Sequence, residues 1–298
     1  MVIAIIGIVA GIVAVFIRAP ILSYRDTVDR AELTDQADLA LRRMARDIRL
    51  ALPNSVRVND AGDHLELLQT RSGARYLSAD DGVPDGLVLS FDKQASAGSN
   101  ASFTAVGMPA SFAQVRAGDY VVVYNLGPGF EPANAYALAD TGVTRCPTTA
   151  SAGAAGNIAC ISAAPVTSTQ TINGQKVPTA TITLAGNPFA LQDTALQSPL
   201  QRFQVVSGPV SFYCAAGADG RPALWRAWNY PVSATQAVPA AGERALVATG
   251  LTACKDLFSY GTAAQRTGLV RIALELRGRA DNPATIRLVH QVHVDNTP

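Results

Sequence analysis

The sequence predicts an α+β protein in which one long N-terminal helix packs on an antiparallel, sheet-rich head. Three observations support this class. The first 53 residues hold an apolar run followed by an amphipathic helical pattern. Most of the remaining chain consists of short apolar stretches separated by turn residues, which is typical of strands. The last two stretches alternate over their full length and predict a hairpin. We therefore divide the chain into a helix, residues 1–53, and a globular head, residues 54–298.

The apolar run at the start of the helix admits three interpretations. It extends from Val2 to Ile17 without a charged residue, which is shorter than the ~20 residues that a membrane-spanning helix needs. It fits a secretory signal peptide, a plain membrane anchor or the packing helix of an assembled fibre. A signal peptide needs a basic start and a small-residue cleavage site. No Lys or Arg precedes the run, so the signal peptide is disfavoured.

Four residues of this first half are candidates for assembly. Gly7, Gly11 and Ala14 are small, and small residues on an apolar helix allow a neighbouring helix to approach closely. Pro20 should bend the helix without ending it, since helices in membranes tolerate such kinks. We expect residues 1–19 to form the membrane or fibre-core part of the helix.

The second half of the helix carries an apolar stripe at three- and four-residue steps. The members of the stripe are Leu33, Ala37, Leu41, Met44, Ile48 and Leu52. On the other faces, acidic residues precede basic residues between Asp26 and Arg49, which is the order that suits the helix dipole. We expect Leu33, Leu41, Met44 and Ile48 to be the helix-packing residues of this half, with the sheet of the head lying on them.

The composition excludes one class of partner and restricts the role of the cysteines. The net charge is +1 and only 16% of the residues are charged, so we expect no nucleic-acid partner. The four cysteines allow three pairings, and an exported protein favours disulfides. Cys146 with Cys160 and Cys214 with Cys254 is the simplest arrangement. A zinc site is disfavoured because the sequence has no C-x-x-C spacing.

Strand signals recur along the head, with turn residues between them. The predicted strands are Ser55–Val58 with His64–Leu68, Arg75–Leu77, Leu87–Phe91, Gly118–Leu126, Ala180–Leu184, the hairpin of Val205–Cys214 with Leu224–Tyr230, and the hairpin of 270–277 with 286–294. Residues 95–105 are predicted to be a loop. The low-complexity segment 148–171 is predicted to be a surface excursion held by Cys146 and Cys160.

Two sets of side chains could bind a metal ion. The turn that contains Asp80, Asp81 and Asp85 holds three carboxylates, which suggests calcium, but their spacing is not that of an EF-hand. A solvated turn is the favoured interpretation. His290 and His293 lie three residues apart on a predicted strand, so they face opposite sides and cannot bind one metal together. We expect His290, on the apolar face, to be a hydrogen-bonded core residue.

Both ends of the chain resemble a known family. The run MVIAIIGIVAGIVAVFIRAPILSYRDTVDRAELTDQADLALRRMARDIRLALPNSVRV is similar to the N-terminal helix of type IV pilins and pseudopilins, and most similar to the O-type minor pilins of MSHA pili. The segments FQVVSGPVSFYC, PALWRAWNY, ALVATGLTACKDLFSY and GLVRIALELRGRADNPATIRLVHQVHVDNTP resemble the C-terminal half of that family. This likeness includes a Val-His-Val-x-Asn-x-Pro ending at Val292–Pro298. Residues 73–201 carry little of it.

The resemblance implies a structural role in a fibre. The helix would first lie in the inner membrane as a single span, with the head in the periplasm. It would then pack among the helices of other minor and major pilins or pseudopilins, in a pilus or a secretion pseudopilus. In the family, a prepilin peptidase cuts after a Gly and methylates the new N-terminal Phe, and a Glu follows in the apolar segment. None of these residues is present here, so we expect a start upstream of Met1 and assign the processing to no position.

The sequence carries no catalytic motif that we recognise. It has no G-x-S-x-G elbow, no P-loop and no glycine-rich dinucleotide turn after a strand. We therefore expect a structural subunit without catalytic activity or a bound cofactor. One alternative is a membrane-anchored periplasmic binding or sensing module. Another is an exported adhesin whose head binds a surface or a glycan through residues 148–171.

Overall fold

The computed structural model describes residues 2–92, 101–137, 155–264, 267–278 and 284–298. Over these ranges the chain forms one α-helix, 13 β-strands and five short 3-10 helices. All pairings between these strands are antiparallel. The predicted α+β class was therefore wrong, because the protein is mostly antiparallel β-sheet. The long helix contributes side chains to only one of the hydrophobic cores. The other cores consist of residues from strands, loops and 3-10 helices.

The helix α1 extends from Val2 to Arg49 and includes Pro20 without interruption. Arg46 and Arg49 occupy its last turn, where positive charge complements the helix dipole. The chain enters the sheet directly after the helix, since the Leu52 N–H donates to the Leu68 carbonyl at 2.8 Å. Within the part of the chain that the structure describes, no helix has both the length and the apolar character needed to cross a bilayer.

Ten strands form the larger sheet. They are β1 (Arg57–Val58), β2 (His64–Tyr76), β3 (Ser102–Val106), β4 (Tyr120–Val122), β5 (Ile158–Cys160), β6 (Val166–Ile172), β7 (Gln175–Thr183), β8 (Arg202–Ala216), β9 (Pro222–Trp228) and β10 (Glu243–Ala248). The strand order is β10-β9-β8-β2-β3-β7-β6, with β1 beside β2 and with β4 beside both β5 and β8. The long strands β2 and β8 lie at the centre of the order, next to each other.

Three strands form the smaller sheet, in the order β11 (Phe258–Ala264), β12 (Thr267–Arg277) and β13 (Thr285–Asp295). The pairing of β12 with β13 is in register from Thr267 opposite Asp295 to Arg277 opposite Thr285. This is the hairpin that the alternation predicts. The apolar residues Val270, Ile272, Leu274 and Leu276 of β12, with Val292 and Val294 of β13, face the core.

The main core lies between the helix and both sheets. It contains the stripe residues of the helix from Leu33 to Ile48 with Leu65, Leu67 and Phe212 of the larger sheet and the inward residues of β12 and β13. Leu52, the last residue of the predicted stripe, lies beyond the end of the helix and is buried in another core. A second core lies within the larger sheet and its connections, around residues such as Phe103 and Phe203. Burying apolar area provides most of the folding free energy. The first core therefore holds the helix and both sheets together, and the second stabilises the larger sheet.

Several local predictions differ from the structure. Leu87–Phe91 forms no strand: its first residue ends a 3-10 helix, and Val88, Leu89 and Phe91 are buried beside the sheet. These side chains contact the hydrophobic cores although the segment belongs to no strand, and the Leu89 N–H donates to the Leu77 carbonyl at 2.9 Å. The strand predicted over Gly118–Leu126 is shorter, and β3 lies partly in the predicted loop 95–105. The predicted excursion 148–171 includes β5 and part of β6. The strands β10 and β11 were not predicted.

Candidate functional site

The first half of α1 exposes its apolar side chains. Those of Val2, Ile5, Ile6, Val9 and Val13 are between 48% and 70% exposed. Among the described side chains of the helix, none before Leu33 is buried. Contiguous exposed apolar surface of this kind marks an interaction site. This part of the helix therefore has an apolar surface that the described part of the chain does not cover.

The predicted small residues lie on this uncovered part. A Cβ atom built on Gly7 or Gly11 would meet nothing within 4 Å, so both positions are open to a neighbouring helix. The backbone of Ala14 and Pro20 lies in the helix, and their side chains lie outside the described part. The sequence-predicted assembly residues thus share one helical segment, and the open space at the two glycines fits close approach of a second helix.

The second half of α1 is fixed to the head. Leu33, Leu41, Met44 and Ile48 are all buried, Met44 and Ile48 completely, in the core that includes strands of both sheets. The stripe therefore lies on the sheet, as its period predicts. These side chains have no surface left for another subunit. Assembly through the helix would have to use surfaces other than this stripe.

A polar contact that the sequence analysis missed holds the last turns of the helix. Asp47 is buried, and its Oδ2 accepts from Arg226 Nε of β9 at 2.7 Å. Its Oδ1 accepts from Gln69 Nε2 of β2 at 3.2 Å. Asp47 lies directly before Ile48, at the border of the apolar stripe. The sequence offered no signal of a buried ion pair except this position, and a charged residue at the border of an apolar stripe is often solvated.

The disulfides fit the simplest pairing where the structure describes it. Cys214 of β8 is bonded to Cys254, which precedes β11, with 5.4 Å between their Cα atoms. This confirms one predicted pair. It connects the larger sheet to the segment that leads into the smaller sheet. Cys160 is also disulfide-bonded, and Cys146 lies outside the described residues.

The turn with the three carboxylates is organised by Asp81. This residue forms an ion pair with Arg75 and accepts from the backbone N–H of Ser78 at 2.9 Å. These contacts, despite partial burial, lower the pKa of the Asp81 carboxyl. The side chain of Asp85 lies outside the described part. Among the residues that were described, no group of three or more His, Cys, Asp or Glu side chains could hold a metal ion.

The two C-terminal histidines lie on opposite faces of β13, as predicted. His293 is exposed, whereas His290 is half-buried and faces the helix. His290 lines a groove of about 460 Å³ with the helix residues Asp38, Leu41, Arg42, Ala45, Arg46, Arg49 and Leu50. The expectation that His290 belongs to the core was wrong, because it lies at the edge of the smaller sheet.

A second buried polar feature lies on β2, and we call it the β2 polar cluster. It consists of Arg57, His64, Glu66, Ser211 and Tyr230. Arg57 Nη2 donates to Glu66 Oε1 at 2.9 Å, and His64 Nε2 lies 3.0 Å from Ser211 Oγ. The Ser211 and Tyr230 hydroxyls form a hydrogen bond of 2.5 Å. The sequence pattern gave no indication of this cluster.

Burial shifts the pKa of two members in opposite senses. Desolvation raises the pKa of Glu66 to about 7, and the Arg57 guanidinium only partly opposes this. Desolvation, aided by Arg57, lowers the pKa of His64 to about 4. Burial in the cluster therefore favours the neutral form of both Glu66 and His64. It has no nucleophile aimed at an open cavity, and we assign it a structural role.

Comparison of the chain with known protein families, with characterised proteins and with solved structures found no match. The resemblance to type IV pilins stays a prediction that rests on the residues quoted for it.

Proposed function

We propose that this protein is a structural subunit, a minor pilin or pseudopilin, that assembles into a type IV pilus or a related pseudopilus through the first half of α1. The observation that supports the proposal most is the contrast between the two halves of one helix. The second half is packed into the head, and the first half leaves its apolar side chains uncovered.

The uncovered half needs an apolar environment. Before assembly, the inner membrane would provide it, with the head in the periplasm. In the fibre, the helices of other minor and major pilins would replace lipid around the same side chains. Packing between apolar helices depends on close van der Waals contact, which small residues allow. Gly7 and Gly11, which have open space around them, would be the points of closest approach.

The proposed role involves no catalysis and no bound cofactor. The ion pairs of Asp47, Glu66 and Asp81 each join two elements of the fold. The disulfide between Cys214 and Cys254 serves the same purpose. Such internal connections suit a subunit exported to an oxidising compartment.

Incorporation into fibres tests the proposal. We would express the chain with Gly7→Leu and Gly11→Leu in its native host, shear the surface fibres and measure the subunit in them. The double variant should be strongly reduced in the fibre fraction and normal in the envelope, because two leucines prevent close helix approach. Ile6→Leu, which keeps the volume of an exposed neighbour, is the matched control and should assemble normally.

The same samples separate the alternatives. Mass spectrometry of the N-terminal peptide should reveal a methylated Phe upstream of Met1, from a prepilin peptidase. A wild-type protein that stays in the envelope and never reaches sheared fibres would contradict the proposal and favour a membrane-anchored binding or sensing module. An N-terminus near Ala19 would indicate a secreted protein.

A further inference from the structure

We propose that the outer edge of β13 accepts an extended acidic segment of a partner protein as an additional strand. This surface is on the head and is separate from the uncovered half of the helix. The inference does not depend on the proposed function.

Among the described residues, the edge of β13 has no second partner strand from Ile286 to Val294. The strand order of the smaller sheet is β11-β12-β13, so β13 pairs with β12 on one side only. A strand in this position presents a row of unpaired backbone N–H and C=O groups to its outer side. Such a row is the template on which peptides add as strands.

This edge also lacks four of the features that usually prevent strand addition. Proteins protect sheet edges with proline, lysine, bulges or very short strands. β13 has eleven residues, TIRLVHQVHVD, with no proline, lysine or glycine. Its register with β12 has no shift, unlike the pairing of β11 with β12. At its centre, Val289 is 50% exposed on the face away from the helix.

The charges beside the edge select an acidic partner. The groove between α1 and β13 has an apolar floor that includes Leu41 and Ala45, and Arg42, Arg46 and Arg49 line it. Asp38 is the one acidic residue that lines it, and it forms an ion pair with Arg42 at 2.8 Å. The groove therefore has an excess of positive charge. An added strand whose inward side chains are acidic would place them beside these arginines.

The spacing of the arginines fits an extended chain. Four residues of helix separate Arg42 from Arg46, a rise of ~6 Å. Alternate residues of a strand, which face the same side, are ~6.6 Å apart. A segment that alternates Glu with Val would direct its carboxylates toward the helix and its valines toward the side of Val289. A second copy of β13 fits less well, because it would bring Arg287 and its histidines to the same basic groove.

Binding of three matched peptides to the full chain in detergent micelles tests the inference. The first is a fluorescent eleven-residue peptide that alternates Glu and Val. The second has Lys in place of every Glu. The third is the acidic peptide with alternate backbone nitrogens methylated on the side that would face β13, so that it keeps its charge and cannot form the ladder. We expect the first to bind, in fluorescence anisotropy, and the other two to bind at least about tenfold more weakly.

Variants of the chain test the groove. Arg46→Glu with Arg49→Glu should weaken binding of the acidic peptide about tenfold or more, since like charges then face each other. Arg43→Glu makes the same change on an exposed residue of the same helix that does not line the groove. This control should bind as the wild type does.

Four results would overturn the inference. The acidic peptide could fail to bind at millimolar concentration. The methylated peptide could bind equally well, which would mean attraction by charge without strand addition. The Arg43→Glu control could lose as much binding as the groove variant. Finally, the amides of β13 could become protected from hydrogen exchange as the concentration of the chain alone is raised, which would identify a second copy as the occupant.

Discussion

The β2 polar cluster predicts that two single variants change the pH dependence of stability in opposite directions. The variants are Glu66→Gln and His64→Gln. Both side chains are buried, at 2% and 4% exposure, and they lie two residues apart on β2. The charges that act on His64 are those of Arg57 and Asp63. Glu66 is not among them, and we therefore expect each variant to remove one titration and leave the other in place.

The sign for each group follows from its pKa in the folded and unfolded states. The pKa of His64 is lowered from 6.5 to about 4 in the fold. The unfolded chain therefore takes up a proton first, and stability is lost as the pH falls from 6.5 toward 4. The pKa of Glu66 is raised from 4.5 to about 7. Here the folded chain holds its proton longer, and stability is lost as the pH rises from 4.5 toward 7.

The two effects are similar in size. One pKa unit corresponds to ~1.4 kcal/mol, so each group changes the free energy of unfolding by about 2 kcal/mol between pH 4.5 and 6.5. In the wild type they cancel over this interval. We expect Glu66→Gln to lose about 2 kcal/mol relative to the wild type as the pH falls from 6.5 to 4.5. His64→Gln should gain about the same amount.

Urea unfolding followed by circular dichroism, in one detergent and at pH 4.5, 5.5 and 6.5, measures these differences. The pH dependence of each variant relative to the wild type is the quantity of interest, because every other titrating group contributes equally to both proteins. The absolute stability of each variant is not part of the prediction. If the two relative slopes have the same sign, or if both are below about 0.5 kcal/mol over the interval, the reasoning about the cluster is refuted.

Three further predictions concern the attachment of the helix and the disulfide, and the same unfolding assay measures all of them. Met44→Ala should cost about 2–5 kcal/mol because it leaves a cavity in the main core, whereas Leu39→Ala, at a residue 68% exposed on the same helix, should cost almost nothing. Asp47→Ala should cost about 3–5 kcal/mol, since it leaves Arg226 buried without its partner. A double variant with Arg226→Ala whose cost equals the sum of the two single costs would contradict a coupled pair. Cys254→Ser opens a disulfide of sequence separation 40 and should cost about 4 kcal/mol, and a loss below about 1 kcal/mol would contradict this.

The sequence predicts those elements that are buried on one face only, because their apolar residues then recur at regular spacing. The stripe of α1 and the hairpin of β12 with β13 each have one face on the core and one face outward. Their apolar residues therefore recur at 3.6 and at 2 residues, and the structure places them as expected except for Leu52, which follows the helix. The signal in these elements is produced by the packing itself.

The parts that the sequence does not predict depend on contacts between distant residues. In β10, residues 243–248 read ERALVA and Ala248 is the only one of the six that is buried, so its residues show no inward period. These residues form a strand because they pair with the edge of β9. In the segment Leu87–Phe91 the reverse holds, since its apolar residues alternate in the sequence but form no strand, and the adjacent Val88 and Leu89 are both buried. The partner of Asp47 is 179 residues away in the chain, and no local pattern contains that information. The fold class was misjudged for the same reason, because the undetected strands shift the balance toward sheet.

The contrast between the two halves of α1 has a mechanical consequence for the proposed role. A subunit held in a fibre by the first half of its helix can present its head at a fixed orientation only if the second half does not move on the head. Apolar side chains alone would permit sliding, since their attraction has no direction. The ion pair of Asp47 with Arg226 does have a direction, and it lies in the last turns of the helix beside the completely buried Ile48.

If this contact fixes the orientation, Asp47→Asn, which keeps the volume, should still allow assembly. Spin labels attached to β13 should then report a more mobile head in the fibre. A head whose mobility in the fibre is unchanged in this variant would mean that the apolar stripe is sufficient.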